Sequence, residues 1–447
     1  MYDLIVIGAG PGGYEAAGHA GRMGKKVALV EKERVGGTCL HVGCIPAKTF
    51  LRSSKLYREC GESQSYGVRV ASREFDMPAV VARKDRVVGT LAKGVETMLK
   101  RAGVETISGQ ARLVARNTVE VGERRLEAAN ILLATGSRPA VPPISGIGSA
   151  RVLDSNTVFG LAAIPRRVAI VGGGYIGLEF ACFFNEIGSQ VAVYEMLPHI
   201  ASGCDRDISS RLLQILKREG IEFHLSAKVT AIDESALHYT EADGTQGADA
   251  ADCILNAAGR APNVAGLGLE EVGVDFSAKG IRTSDRGQTN VAGIWACGDA
   301  TGRRMLAHVA TREGIAAVNN MFGRKDRIRY NAIPAVIYTH PEVATVGQTE
   351  EELLAAGVEY KKSIVPMAVA GRFLVENEGG SGIVKALAGA RHGEILGVHA
   401  IGDSSSEFIV AAAVMVATEM CVADAAGIVF PHPTVSEALR EAILALG

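Results

Sequence analysis

The chain has 447 residues, enough for about three domains, and its 47 Lys and Arg nearly balance 49 Asp and Glu, with only 5% aromatic residues. With neither a basic stripe nor interleaved aromatics, nucleic acid is excluded as a partner. The longest apolar run, 408–417, falls short of the ~18–20 residues a membrane span needs. The start MYDLIVIGAG has no basic leader, so the expectation is a cytoplasmic globular protein without a membrane contact.

In chain order, residues 3–8 form a continuous apolar run of the kind found in buried parallel strands. It opens into Gly8-Ala9-Gly10-Pro11-Gly12-Gly13, a helix to about residue 24, and a second strand over 27–30 that ends at Glu31. In G-x-G-x-x-G placed between strand and helix, Gly8 turns the chain, Gly10 admits a pyrophosphate, and Gly13 lets the helix pack on the strand. Helix-start amides then face the phosphates, and the acid accepts from a ribose. The unit occurs twice. A strand over 168–171 leads into Gly172-Gly173-Gly174-Tyr175-Ile176-Gly177, a helix to about residue 188, and a strand ending at Glu195. Gly172, Gly174, Tyr175, Gly177 and Glu195 are therefore the second set of dinucleotide residues. Each copy closes on a strand and a glycine, at Gly136 and Gly259, and the first copy is longer by about 40 residues. The surplus is expected just after Glu31.

That is where Gly36 to Lys48 stands, GGTCLHVGCIPAK, with Cys39 and Cys44 five apart; the other six cysteines are scattered and read as buried small hydrophobes. On a regular helix such a pair lies ~8–9 Å apart at Cα, against roughly 4.4–6.8 Å for a disulfide. Pairing would need an irregular turn, for which Gly43 and Pro46 are suited. The spacing leaves open a redox pair or two unrelated thiols. Half of a metal site would need two further ligands, and no nearby Cys/His pair has zinc-site spacing, so no metal is expected.

Further along, 78–101 reads as a long exposed helix, 104–128 as short strands, and Pro139, Pro142 and Pro143 as the crossing into the second unit. Residues 294–299 are a buried strand ending in Gly298-Asp299, followed by a helix over 306–321. From about 332 strands at 335–339, 383–387 and 395–401 alternate with helices, one opened by a Thr349–Glu352 capping box. The helix over 404–419 holds the apolar run, which reads as core ahead of subunit contact. The fold class is α/β, with two Rossmann-like dinucleotide-binding domains and a C-terminal α+β domain. The divisions are 1–145, with the dithiol insertion; 146–265; 266–332, completing the first nucleotide site; and 333–447.

GGTCLHVGCIPAK resembles the active-site motif of the pyridine nucleotide–disulfide oxidoreductases, and its Cys-Leu-x-x-Gly-Cys-Ile-Pro form is similar to that of the dihydrolipoamide dehydrogenases among them. LLATGSRP, GGGYIGLE, GIWACGDAT, LAHVATREG, HPEVATVGQTEEEL, ILGVHAIG and HPTVSEAL extend the resemblance over the whole chain. It implies FAD along Gly8, Gly10, Gly13, Glu31 and Gly136, with Asp299 close by and Met305, Leu306, Ala307 and His308 at the flavin ring. NAD is implied at the second unit. Lys48 would pair with Glu179 beside the flavin, Cys44 would be the thiolate facing it, and Cys39 the thiol that exchanges with substrate. His432, oriented by Glu437, would be the base, reaching the cysteines of a partner subunit. A homodimer and a C-terminal dimerisation domain follow, as do lipoyl domains of 2-oxo acid dehydrogenase or glycine cleavage complexes as partners. His41 stands where the family usually has Asn, either as a substitute polar contact or as an aid to thiolate formation. Phe430 stands where a second His is frequent. A glutathione-type reductase should carry basic residues near Glu195, and mercuric or large thioredoxin reductases a second thiol pair within 442–447; neither is there. A non-catalytic flavoprotein subunit is the alternative from another class.

Glu195 accepts from a 2′-hydroxyl and repels a 2′-phosphate. Turnover is therefore expected to be efficient with NADH and slight with NADPH in steady-state assays; comparable rates would overturn this reading of Glu195.

Overall fold

The structure, a computed structural model, describes residues 1–447. Strand Tyr2–Ile7 pairs in parallel with Val27–Glu31 on one side and Arg124–Leu133 on the other, with Glu105–Ser108 beyond the former. Strand Ile294–Ala296, far along the chain, joins this sheet in parallel beside Arg124–Leu133. Helix α1 (Pro11–Arg22) connects the first two strands. Between Val27–Glu31 and Glu105–Ser108 lie α2 (Gly37–Val42), α3 (Cys44–Glu62) and the exposed α4 (Met77–Arg101). A meander of Ala111–Ala115 and Thr118–Val121 folds against the first half of Arg124–Leu133.

The second sheet repeats the order, Glu222–Leu225, Gln190–Glu195, Arg167–Val171, Cys253–Asn256, again parallel, with Val152–Asp154 added at its edge. Helix α5 (Tyr175–Glu186) takes the place of α1. The interval that holds three helices in the first unit holds a single helix, α6 (Arg206–Arg218), in the second. The dithiol segment is thus an insertion between the second and third strands of the first unit, where the spacing predicts it.

Helix α7 (Ala307–Met321) returns to the first unit and packs on α1 so closely that a Cβ on Gly314 would enter the Gly12 carbonyl. The remaining chain builds an antiparallel sheet ordered Ala335–Ile337, Val343–Gly347, Ile395–Ile401, Ile383–Gly389, Tyr360–Pro366. It carries α8 (Glu350–Ala355), opened by the Thr349–Glu352 capping box, then α9 (Ser405–Ala417) and α10 (Glu437–Leu444). The apolar run of α9 serves two surfaces. Phe408, Ile409, Ala412, Met415 and Val416 face the core, whereas Val410 and Val414 are 60% and 53% exposed in a single chain. No helix is long and apolar enough to cross a membrane.

One core cluster joins all three regions. Phe50 of α3 packs 5.1 Å from Phe183 of α5 and 5.3 Å from Phe159, and the cluster extends to Ile337, Val343 and Ile401. Fully burying an aromatic side chain is among the largest single apolar contributions available. Phe50→Ala is expected to lower the unfolding free energy by about 3–5 kcal/mol in urea titrations; a loss under about 1 kcal/mol would show that α3 is not anchored there.

Candidate active site

The two glycine turns are copies down to individual bonds. Gly8 and Gly172 have φ of +98° and +108°, where a side chain would be strained, and a Cβ on either would strike the carbonyl of Ala134 or Ala257. A Cβ on Gly13 or Gly177 would enter the carbonyl of Gly8 or Gly172, so helix and strand touch backbone to backbone. Glu31 accepts from the Ala9 amide at 2.7 Å and from Glu33 at 2.8 Å; Glu195 accepts from Gly173 at 2.7 Å and from Leu197 at 2.8 Å. Each carboxylate keeps further lone pairs for a ribose.

The residues fit two dinucleotides. Beside Gly10 a Cβ would meet only the Gly37 Cα at 4.0 Å, and beside Gly174 nothing within 4 Å, so both turns open onto free space. Helices α1 and α5 start at Gly10 and Gly174 without a side-chain cap, leaving their first amides for an anion. Gly136 and Gly259 likewise have nothing within 4 Å of a notional Cβ.

The dithiol segment begins on the first of these turns. The Gly36 amide donates to the Ala9 carbonyl at 2.8 Å, and a Cβ on Gly37 would press on the Gly10 Cα at 2.5 Å. Helix α2 then breaks at Gly43 (φ −146°, ψ −111°) and α3 restarts at Cys44. The break brings Cys39 and Cys44 to a Cα separation of 4.6 Å as a disulfide. Gly43 is required by proximity, since its Cβ would lie 3.3 Å from the Cys39 Cα and 2.9 Å from the Thr38 carbonyl oxygen. Pro46 does not make the turn: it sits in the first turn of α3, where a missing N–H costs nothing. Cys44 therefore heads a 19-residue helix, whose N-terminus favours a thiolate.

One turn into α3, the Lys48 ammonium donates to both Glu179 oxygens at 2.8 and 2.7 Å. Tyr338, which sequence reasoning missed, donates its amide to Glu179 at 3.0 Å and sets its ring 4.4 Å from the ammonium. Farther along α3, Ser54 donates to Glu186 of α5 at 2.5 Å, Arg58 pairs with the same carboxylate at 3.5 Å, and Lys55 reaches Asp403. Burial pushes the Glu186 carboxyl above its usual range.

Asp299 accepts from the Ser137 hydroxyl in the turn Gly298–Thr301, and burial pushes its carboxyl up. Glu313 of α7 was also not singled out. It is buried, accepts from the Gly298 amide at 2.6 Å and from the Tyr330 hydroxyl at 2.7 Å, and its carboxyl too is raised by burial. Met305 and Leu306 precede α7 and Ala307 and His308 open it; the His308 Nε2 donates to the Pro334 carbonyl at 2.8 Å. The Tyr175 hydroxyl lies 3.8 Å from the Cys204 sulfur. His41 donates Nε2–H to the Val35 carbonyl at 2.8 Å, a polar contact within the dithiol segment.

His432 and Glu437 come together. The His432 Nδ1 is 2.9 Å from Glu437, whose other oxygen accepts from the Thr434 amide at 3.0 Å. The hydrogen bond from His432, helped by that amide, holds the Glu437 carboxyl below its usual range. The imidazole is 78% exposed, with Nε2 free.

Comparison with known proteins agrees with this geometry. Residues 2–314 match the pyridine nucleotide-disulphide oxidoreductase family and residues 333–443 its dimerisation domain. Dihydrolipoyl dehydrogenase 3 of Pseudomonas aeruginosa is 40% identical over 457 aligned positions, covering 99% of this chain and 97% of that protein. Among solved structures, LpdA from Mycobacterium tuberculosis superposes with a TM-score of 0.90 at 26% identity, covering 99% of both chains. The HOCl-induced flavoprotein disulfide reductase RclA from Escherichia coli gives 0.88 at 28%, covering both chains completely. On a match over nearly its full length, with two glycine turns and a disulfide between them in the sequence, the chain belongs to the pyridine nucleotide-disulphide oxidoreductase family.

Proposed function

We propose that this chain is a flavin-dependent dihydrolipoyl dehydrogenase, acting as a homodimer that oxidises dihydrolipoamide on the lipoyl domains of 2-oxo acid dehydrogenase or glycine cleavage complexes. The observation that carries the reading is the Cys39–Cys44 disulfide built onto the first glycine turn. FAD, held by Gly8, Gly10, Gly13, Glu31, Gly136 and Asp299, supplies two-electron chemistry between the dithiol and NAD held at Gly172, Gly174, Tyr175, Gly177, Glu195 and Gly259. The four-part division at 145, 265 and 332 belongs to the same proposal, as does a cytoplasmic setting, where thiols stay reduced.

In the dithiol step, a substrate thiolate attacks the Cys39 sulfur, and the Cys39–Cys44 bond breaks with its electron pair left on Cys44. The second substrate thiolate attacks the mixed disulfide, closing the lipoamide ring and releasing the Cys39 thiolate. His432 of the partner subunit takes up the substrate thiol proton, whose loss makes the attacking sulfur a nucleophile. Glu437 orients it, because a carboxylate at Nδ1 fixes the proton there and leaves Nε2 as acceptor. An exposed Nε2 in a single chain supports its use across the dimer. The Lys48–Glu179 pair keeps a fixed positive charge one helical turn beyond Cys44, where reduced flavin would carry negative charge.

The purified protein is expected to reduce NAD with dihydrolipoamide far faster than it oxidises NADH with glutathione disulfide; the reverse preference would make it another disulfide reductase, and inactivity with both a non-catalytic subunit. Glu437→Gln, which no longer holds the His432 tautomer, is expected to slow flavin reduction by dihydrolipoamide about 10²-fold or more in stopped-flow traces, leaving NADH binding unchanged. In the wild type the pair should survive acidification to the ordinary glutamate pKa of ~4.3 and fail only as pH falls through the depressed value. A variant rate within twofold of wild type would remove Glu437 from the mechanism.

A further inference from the structure

A cluster of buried charge lies outside the dithiol site. Lys385, on strand Ile383–Gly389 of the C-terminal sheet, is completely buried and its ammonium meets three carboxylates: Asp205 at 2.8 Å, Asp207 at 2.7 Å and Glu350 at 2.6 Å. An unpaired buried charge is strongly disfavoured, so such a cluster persists only when its geometry is complete. Asp205, itself fully buried, belongs to the second nucleotide unit, where it caps α6 by accepting from the Asp207 amide at 3.0 Å. Its other oxygen accepts from the Glu350 amide at 3.0 Å, the first residue of α8. Two helices from different regions thus start against one carboxylate, and Lys385 neutralises the site beneath both. Beside it His399, also buried, is held neutral: Nε2 donates to the Gln348 carbonyl at 2.9 Å and Nδ1 accepts from the Thr345 hydroxyl. Burial lowers its pKa, so the imidazole adds no cation beside Lys385. Burial alone would raise Glu350, yet the Lys362 and Lys385 ammoniums outweigh it and hold the carboxyl at about 2.

The segment that ends at Asp205 is the one that begins at Glu195. Within residues 196–204, the Ala201 amide donates to the Gly173 carbonyl of the second glycine turn at 2.9 Å, and the Leu197 carbonyl accepts from the Ser226 amide, just past strand Glu222–Leu225, at 3.0 Å. Cys204 sits against the Tyr175 hydroxyl at the start of α5, and Ala201 holds a φ of +48°, which a non-glycine residue adopts only under constraint. One end of the loop is fastened to the turn through Glu195 and Ala201, the other to the C-terminal sheet through Asp205.

We infer that Lys385 is a positioning residue for the second dinucleotide site: by clamping Asp205 from the C-terminal domain, it sets the loop 196–204 over the glycine turn and thereby the affinity for the nicotinamide dinucleotide. The inference rests on the assignment of NAD to the Gly172–Gly177 turn. It goes beyond that assignment in making the affinity depend on a residue that is remote in sequence, on another sheet, and in contact with neither the turn nor the dithiol.

The test uses the FAD-loaded protein and compares two half-reactions. Lys385→Met keeps the length of the side chain and removes its charge. It is expected to raise the NADH dissociation constant, read by fluorescence titration, at least tenfold, while flavin reduction by dihydrolipoamide stays within twofold of wild type. Asp205→Asn, which keeps a capping oxygen for α6, must show the same split, and replaces Lys385→Met should that variant not fold. An unchanged NADH dissociation constant in a folded variant, or equal losses in both half-reactions, would overturn the inference. Gly174→Ala serves as the reference, because its methyl enters the open space beside the turn without touching protein. Unchanged NADH affinity there would overturn the assignment of the turn, and the inference with it.

Discussion

Residues five apart on a continuous helix face different directions and lie too far apart to share a bond. The activity proposed for this chain depends on breaking that constraint at Gly43. There the backbone leaves helical geometry for one residue, so that Cys39 and Cys44 come within 4.6 Å at Cα while the helix resumes at once. The break also divides the two sulfurs chemically. Cys44 receives the N-terminus of a long helix, whereas Cys39 lies inside a short one, so the two thiols are unequal before any cofactor or substrate arrives.

Helix α3 then becomes the member on which the rest is aligned. Its N-terminus is set by the Gly36 contact with the first glycine turn, its first and second halves are fastened to α5 through Glu179 and Glu186, and Lys55 ties it to Asp403 of the C-terminal domain. Phe50 fills the space between these polar ties. Surface ion pairs contribute little individually, but here the carboxylate partners are largely buried and act with an aromatic core. Their joint effect is to fix the orientation of the dithiol relative to both nucleotide turns.

Much of this arrangement could be read along the chain because it is local. The glycine turns, the acids ending their second strands and the capping box at Thr349 are interactions between residues close in sequence, and each has a composition that its backbone requires. Duplication helped further: the excess length of the first copy located the insertion without any knowledge of its fold. What could not be read is the set of partners made at long range. Nothing near Lys48 signals Tyr338, nothing near Gly298 signals Glu313, and Lys385 in an apolar strand looks like an outward-facing residue until Asp205 and Glu350 are brought to it. Pro46 has the composition of a turn residue, yet the first turn of a helix accommodates it equally well. The apolar run of α9, which by sequence suits a core ahead of a subunit contact, is buried on one face and exposed at Val410 and Val414 on the other.

The strand Ile294–Ala296 closes the first sheet from beyond the whole second unit, and α7 behind it packs on α1. The chain leaves the first nucleotide domain near Pro139 and comes back to it only after the second has been spelled out. During synthesis, therefore, the opening third of the polypeptide must wait, with one edge of its sheet and one face of α1 uncovered, until roughly residue 320 has left the ribosome. The second unit, whose parallel strands are all drawn from one uninterrupted stretch, carries no such delay. The order in which the two nucleotide sheets close is thus the inverse of the order of translation: the later sheet has all its strands first, and the earlier one is closed after it.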